Sequence, residues 1–156
     1  CVSMEKTART FNKLLEEELR DIILSNLNTH YQGTASGETF NKVGKTDIYI
    51  PFENKAAYVA ECKIWHGSKK FIEAIDQLCS YTTWRETKTS LIVFNKENKD
   101  FELLLDNINQ VLQASDRCKN IIRLEYNQWQ GIFSKEFDSK DTLTINVVVY
   151  DLYIKQ

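Results

Sequence analysis

The sequence predicts an α/β protein whose central mixed β-sheet is flanked by helices. Segments with the 3.6-residue period of amphipathic helices alternate with short apolar segments. Three strand-like segments follow one another between the first two helices, and three more end the chain. Helices interleaved with a β-meander pack against a sheet that combines parallel and antiparallel neighbours, which defines the expected architecture.

The first half of the chain supplies a helix, a three-stranded meander and a second helix. Apolar side chains over residues 7–28 recur at the i, i+3, i+4 spacing of one helical face. Segments rich in β-branched and aromatic residues predict strands over 38–41, 46–52 and 57–65. Gly67 interrupts the pattern, and Ser68 is a suitable N-cap for an amphipathic helix over 69–85.

The second half adds four strands and one helix. A short, fully apolar segment predicts a buried strand over 90–94, and an amphipathic helix follows over 100–114. Three more strands are predicted over 121–129, 132–137 and 143–153. The 156 residues, 42% of them hydrophobic, are enough for one domain, with a core over 7–95 and a C-terminal extension over 96–156.

Charge and hydropathy exclude two classes of protein. The 20 Lys and Arg residues against 22 Asp and Glu give a net charge of −2, which excludes a strongly basic nucleic-acid-binding protein. Basic residues are in excess only over 41–99, with 10 Lys and Arg against 7 Asp and Glu. No apolar run approaches the roughly 18 residues of a membrane-spanning helix, and the charged segment 7–28 is unlike a secretion signal. We therefore expect a cytoplasmic protein with no membrane partner.

The four cysteines are far apart in the sequence and form no CxxC pair. With only two histidines to complete a ligand set, a structural zinc site is not expected. Four cysteines allow two disulfides, but a chain of this size without a secretion signal favours free thiols. The chain begins with cysteine rather than methionine, so we expect a domain of a longer protein whose partners include other domains of that chain. An oligomer is also compatible with the sequence.

Two carboxylates and one lysine converge from neighbouring predicted strands. Because side chains alternate across a strand, Glu61 and Lys63 share one face while Cys62 takes the other. Asp47 opens the strand that pairs with theirs. Two carboxylates bind a hard divalent cation such as Mg²⁺, and a nearby ammonium group can orient water and stabilise negative charge. The alternative is a surface ion-pair ladder, although the apolar residues around Glu61 indicate a largely buried strand.

Asp47 followed by Glu61-Cys62-Lys63 resembles the motif of the PD-(D/E)xK nuclease superfamily, which has the restriction-endonuclease-like fold. The family core is a helix, a three-stranded meander, a helix and a further strand, and residues 7–95 are predicted in that order. Thr46 stands where the family name has proline. The resemblance implies Mg²⁺ or Mn²⁺ bound by Asp47, Glu61 and the Cys62 carbonyl, with Lys63 assisting the attacking water.

Two helical features extend this resemblance. The family's first helix often supplies a glutamate to the metal, and Glu18 falls between Leu14 and Ile22 on the predicted apolar stripe. The alternative for Glu18 is an ordinary side chain at the edge of the stripe. Gln77 and Tyr81 form the QxxxY pattern of one branch of the superfamily, which places Gln77 beside the catalytic residues. Four residues apart, they share a helical face.

The sequence therefore predicts a divalent-metal-dependent nuclease that hydrolyses phosphodiester bonds. The resemblance implies DNA as the partner and bacterial defence or DNA repair as the setting. Lys45, Lys69 and Lys70 are candidates for phosphate contacts, and Tyr81 for stacking on a base. Solubility and core packing are the ordinary explanations for such residues. The alternative function is a non-catalytic module of the same fold that binds nucleic acid or protein.

Overall fold

The computed structural model describes residues 5–30, 36–40, 45–52, 55–81, 88–134 and 141–155. Within these ranges, side chains are described except at 24, 26–30, 36–40, 45–52, 55–58 and 81. The described helices are Ala8–Phe11 (α1), Glu16–His30 (α2), Ser68–Tyr81 (α3) and Phe101–Ala114 (α4). The described strands are Ser36–Phe40 (β1), Lys45–Phe52 (β2), Lys55–Ile64 (β3), Lys88–Asn95 (β4), Cys118–Glu125 (β5), Gln128–Ser134 (β6) and Thr142–Asp151 (β7).

The seven described strands form one mixed sheet in the order β1-β2-β3-β4-β7-β6-β5. The central strand β4 runs parallel to both β3 and β7, and the other neighbouring pairs are antiparallel. The predicted α/β class, with helices flanking a mixed sheet, is thereby confirmed. The segment predicted as a C-terminal extension supplies β5, β6 and β7, and β7 pairs directly with β4.

The helices lie on opposite faces of this sheet. Helices α3 and α4 cover one face, where Leu78 and Ile108 pack in a large cluster with Leu91 and Val147 of the sheet. Helix α2 covers the other face, where Leu19 and Ile23 pack with Ala60, Cys62, Ile92, Phe94 and Leu152. Each fully buried leucine or isoleucine contributes about 1.5–3 kcal/mol to stability. Among its described side chains, α2 buries only two such residues, Leu19 and Ile23. Polar contacts therefore also contribute to keeping α2 packed on the sheet.

The prediction of one continuous helix over 7–28 is wrong. Helix α1 ends at Phe11 and α2 begins at Glu16. Between them, the Asn12 amide donates to the backbone carbonyls of Lys96 and Leu152 at 3.0 and 2.8 Å. The Lys96 ammonium in turn donates to the carbonyl of Leu14 at 2.5 Å. These contacts with distant parts of the chain keep residues 12–15 from continuing the helix. Because α2 is a separate helix, its residues face the sheet in a different order from that of one continuous helix.

The predicted strands 121–129 and 132–137 place a turn at residues 130–131, but the turn between β5 and β6 lies earlier in the sequence. Residues 126–127 form the turn, and Asn127 is buried with its amide donating to the Val149 carbonyl at 2.9 Å. Gly131 therefore sits inside β6 rather than in a turn. A Cβ at Gly131 would lie 2.5 Å from the Phe133 ring and 2.9 Å from Ile121. Glycine is needed there for space.

Among the described residues, no helix is long and apolar enough to cross a membrane.

Candidate functional site

The candidate site lies at the end of β3 that carries Glu61 and Lys63. The described pairs between β2 and β3 run from Phe52–Lys55 to Ile48–Ala60. Strand β3 continues beyond Ala60 to Ile64 and pairs with β4 over residues 61–64. A side chain from α2 reaches the backbone of this stretch at Ile64.

Glu61 and Lys63 occupy this stretch on the face opposite Cys62. Cys62 is fully buried in the cluster beneath α2, which confirms the predicted alternation. Glu61 is also buried, with 3% of its surface exposed. Its Oε2 lies 3.9 Å from Nζ of Lys63, whose side chain is one-third exposed. A charge buried to this extent is stable only with compensating partners.

Glu16, the first residue of α2, reaches the same stretch of β3. Its Oε2 accepts a hydrogen bond from the backbone N–H of Ile64 at 3.0 Å. Its Oε1 lies 3.7 Å from Nζ of Lys63. The Glu16 carboxylate thus contacts the end of β3, and Lys63 lies within ion-pair distance of two carboxylates.

The prediction that Glu18 lies on the buried face of the first helix is wrong. Glu18 is exposed, and its carboxylate accepts from the backbone N–H of Leu15 at 2.6 Å. Glu18 is the third residue of α2, so this bond is the returning half of a capping box. The buried face of α2 carries Leu19 and Ile23. Glu16 precedes them by three and seven residues and therefore shares their face.

Glu16 was not predicted because the start of α2 lacks a conventional N-cap residue. The residue before the helix is Leu15, whereas N-caps are usually Ser, Thr, Asp or Asn. The stripe through Leu14, Glu18 and Ile22 assumes that one helix continues through residues 12–15. The interruption at Asn12 depends on carbonyls of Lys96 and Leu152, which are distant in sequence.

A cleft of about 220 Å³ lies beside Lys63 on the α3 side of the sheet. Its polar lining includes Glu16, Lys63, His66, Lys70 and Gln77. Gln77 is exposed on α3 and faces the cleft, so the structure brings it to the same place as Glu16 and Lys63. The apolar wall includes Trp65 and Phe71, whose ring centroids are 5.9 Å apart.

Three predicted site residues have side chains outside the described part of the structure. Asp47 lies in β2 directly before Ile48, and Ile48 pairs with Ala60, the residue before Glu61. In an antiparallel ladder this places the backbones of Asp47 and Glu61 next to each other. Lys45 is the first residue of β2, and Tyr81 is the last residue of α3.

The two predicted phosphate-binding lysines of α3 are both exposed. Lys70 lines the cleft and lies 3.2 Å from Glu73 one helical turn along. Lys69 is in the first turn of the same helix. Exposed pairs of this kind contribute little to stability, so Lys70 can exchange Glu73 for another anion at low cost.

Two carboxylates of the candidate site lie close to Lys63. Glu16 and Glu61 place two carboxylates against one ammonium group. Among the residues whose side chains are described, no group of three His, Cys, Asp or Glu forms a metal-binding cluster. The described site thus contains two carboxylates, and β2 brings the backbone of a third acidic residue, Asp47, to the same point.

Comparison of the chain with known protein families, with curated proteins and with solved structures finds no match.

Proposed function

We propose that this protein is a divalent-metal-dependent nuclease that hydrolyses phosphodiester bonds in DNA. The observation that carries the proposal is the position of Lys63 between two carboxylates. Glu16 lies 3.7 Å from its ammonium group and Glu61 lies 3.9 Å from it. The resemblance of Asp47 and Glu61-Cys62-Lys63 to the PD-(D/E)xK motif points to the same residues.

The donor set fits a hard divalent cation. Mg²⁺ and Mn²⁺ prefer carboxylate and carbonyl oxygens and usually keep several waters. Glu61 and Glu16 would hold the ion, together with Asp47 from β2 and the carbonyl of Cys62. The carboxylates of Glu16 and Glu61 are ligands of the type that such a cation binds. When bound, such an ion polarises phosphate oxygens and lowers the pKa of a coordinated water.

Lys63, Glu61 and Gln77 would each have a separate role in the reaction. Lys63 keeps its ammonium group within reach of both carboxylates, where it can orient water and stabilise negative charge on a phosphate. Glu61 is held in a buried environment, in which electrostatic interactions are stronger than in water. Gln77 lines the cleft and can orient Lys63 or a phosphate oxygen through its amide.

DNA is the proposed substrate because an exposed lysine, Lys70, lines the cleft. Lys69, also exposed, precedes it in the first turn of α3. Phosphate contacts by lysine supply sequence-independent affinity that weakens with salt. With a net charge of −2 over the chain, this affinity has to come from a local patch. We therefore expect weak, salt-sensitive DNA binding by the isolated chain.

A plasmid-cleavage assay tests the proposal. The wild-type protein is expected to cut DNA with Mg²⁺ or Mn²⁺ and to stop when the metal is chelated. Glu61→Gln and Lys63→Ala should each lower the rate by about a hundredfold or more, since each removes a group acting on charge in the transition state. Glu102→Gln and Lys88→Ala are matched controls at exposed positions far from the cleft in sequence.

Two results would contradict the nuclease proposal. Cleavage that survives chelation would exclude the metal mechanism. Cleavage that is equal in Lys63→Ala and Lys88→Ala would show that Lys63 has no part in the reaction. DNA binding without cleavage at any metal concentration would favour the non-catalytic module of the same fold.

A further inference from the structure

One end of the sheet has an uncovered face. Burial in β6 and β7 alternates residue by residue, with Trp129, Phe133 and Val147 buried beneath α4 and the intervening residues more exposed. The opposite face is covered by α2 only near β3 and β4, where Leu19 and Ile23 pack. In the described structure no helix covers this face at β5 and β6.

The uncovered end carries an apolar patch, formed by Ile122, Leu124 and Tyr126 of β5 and its turn together with Ile132 of β6. The exposed fractions are 52% for Ile122, 52% for Leu124, 61% for Tyr126 and 37% for Ile132. Ile132 pairs with Asn120, and Ile122 pairs with Gln130. Ile122 and Ile132 are therefore diagonal neighbours on one face. A contiguous apolar patch of this kind on a sheet marks an interaction surface.

Strand β5, which bears most of this patch, is also the last strand of the described sheet. An edge strand presents backbone N–H and C=O groups that can pair with another strand. The ladder between β5 and β6 is regular over residues 120–123 and shifts register on either side. The regular stretch includes Ile122, whose exposed side chain belongs to the apolar patch.

The two ends of β5 carry opposite charges, and these charges indicate which strand could pair with this edge. Lys119 lies near the start of the strand and Glu125 is its last residue, both exposed and three residues from Ile122. If a second β5 pairs in the antiparallel direction, each Lys119 approaches the partner copy's glutamate. Parallel pairing would instead place like charges together, which is unfavourable. The strand is therefore complementary to an antiparallel copy of itself.

We propose that this protein forms a symmetric homodimer through antiparallel pairing of β5 about a two-fold axis at Ile122. Such an interface is isologous, because the same patch serves both copies. The two seven-stranded sheets would continue into each other, and the apolar patches would meet across the axis. Arg123 does not oppose this arrangement, since its guanidinium stacks over Trp129 and donates to the Tyr126 carbonyl of its own chain. The dimer is independent of the proposed nuclease chemistry.

Sedimentation velocity of the full chain and its variants tests the dimer. The wild type is expected at twice its 18.2 kDa chain mass at micromolar concentration. Ile122→Lys should raise the dissociation constant about a hundredfold or more, because two ammonium groups would face each other at the axis. Lys119→Glu should weaken the dimer about tenfold, and the added change Glu125→Lys should restore it. Lys99→Glu is the matched control and should leave the dimer unchanged.

A cysteine cross-link keeps the test valid if a charged variant fails to fold. Ile122→Cys places two thiols opposite each other on the axis, at the separation of a directly paired residue. Mild oxidation should give a covalent dimer that wild type and Lys99→Cys do not form. A monomeric wild type, or a dimer that resists Ile122→Lys and fails to cross-link at position 122, overturns the proposal.

Discussion

The Glu16 carboxylate joins α2 to β3 through two contacts, a hydrogen bond from the Ile64 backbone N–H at 3.0 Å and an ion pair with Lys63 at 3.7 Å. One side chain thus contacts the backbone of β3 and also contributes negative charge to the candidate site.

Glu16→Gln should weaken metal binding while keeping the fold. A glutamine carbonyl oxygen can still accept from the Ile64 N–H, but it cannot supply a charge to a cation. For wild type, Mn²⁺ at a hundredfold excess over its dissociation constant should stabilise the fold by about 2.7 kcal/mol. Thermal melting with and without Mn²⁺ should show a smaller shift for Glu16→Gln. Glu17→Gln, at an exposed neighbouring position, should behave as wild type, and equal shifts in both variants would remove Glu16 from the site.

Lys63→Ala should destabilise the protein in the absence of metal. Glu61 is buried, and removing the ammonium group at 3.9 Å leaves its charge less compensated. The side chain of Lys63 is one-third exposed, so solvent reduces the cost to about 1–3 kcal/mol. Urea unfolding measures this loss against Lys88→Ala, which should be neutral. Excess Mn²⁺ should recover part of the lost stability, and an unchanged unfolding midpoint for Lys63→Ala would show that the charges are not coupled.

Asn12→Ala should lower both stability and activity. Its amide donates to the carbonyls of Lys96 and Leu152, and loss of both bonds should cost about 1–3 kcal/mol. Because these bonds fix the point at which α2 begins, Glu16 should also lose its fixed position. Chemical unfolding and DNA cleavage are the measurements, with Gln110→Ala on an exposed part of α4 as the control. A variant as stable as the control would mean that α2 is held by packing alone.

Gly131→Ala should destabilise the sheet even though alanine usually suits a strand better than glycine. The new methyl group would lie 2.5 Å from the Phe133 ring and 2.9 Å from Ile121, and such overpacking costs about 1–3 kcal/mol. Thermal unfolding measures the effect. Phe133→Leu alone should also destabilise, but combined with Gly131→Ala its cost should be smaller than the sum. Strict additivity would argue against a steric conflict between these two positions.

Cys118 should react slowly with alkylating reagents near neutral pH. Burial raises the pKa of the Cys118 thiol above its ordinary value, so less of the reactive thiolate is present at a given pH. As the pH is raised, the alkylation rate of the native protein should therefore increase at a higher pH than the rate of the denatured chain. Mass spectrometry of the peptide containing Cys118, with Cys118→Ser as the blank, follows the reaction. Native and denatured rates with the same pH midpoint would contradict this expectation.

The sequence patterns were sufficient for the fold class and for the alternation of side chains along β3. Glu61 and Lys63 opposite Cys62 follow from the two-residue period of a strand, which is a local property. Helical phase is also local, but only while the helix is continuous. The break at residues 12–15 depends on carbonyls of Lys96 and Leu152, and it moved the site glutamate from Glu18 to Glu16.

The turn between β5 and β6 illustrates a second limit. The predicted strands 121–129 and 132–137 place the turn at residues 130–131. In the structure, Asn127 makes the turn by donating its amide to the Val149 carbonyl of the neighbouring strand. Gly131 instead provides space for the Phe133 ring inside β6. Space requirements of this kind arise from packing between strands, which a single-sequence pattern does not contain.

The parallel pairing of β4 with β7 has a consequence for how the chain folds. Leu91 pairs with Val147, so the centre of the sheet is completed by a strand from a distant part of the sequence. Pairings between residues far apart in sequence form slowly because a long loop must close first. The strand bearing Glu61 and Lys63 has β4 as its parallel neighbour, and β4 reaches its final environment only when β7 pairs with it. We therefore expect the candidate site to take its final form only after this pairing, although β7 contributes no side chain to the cleft.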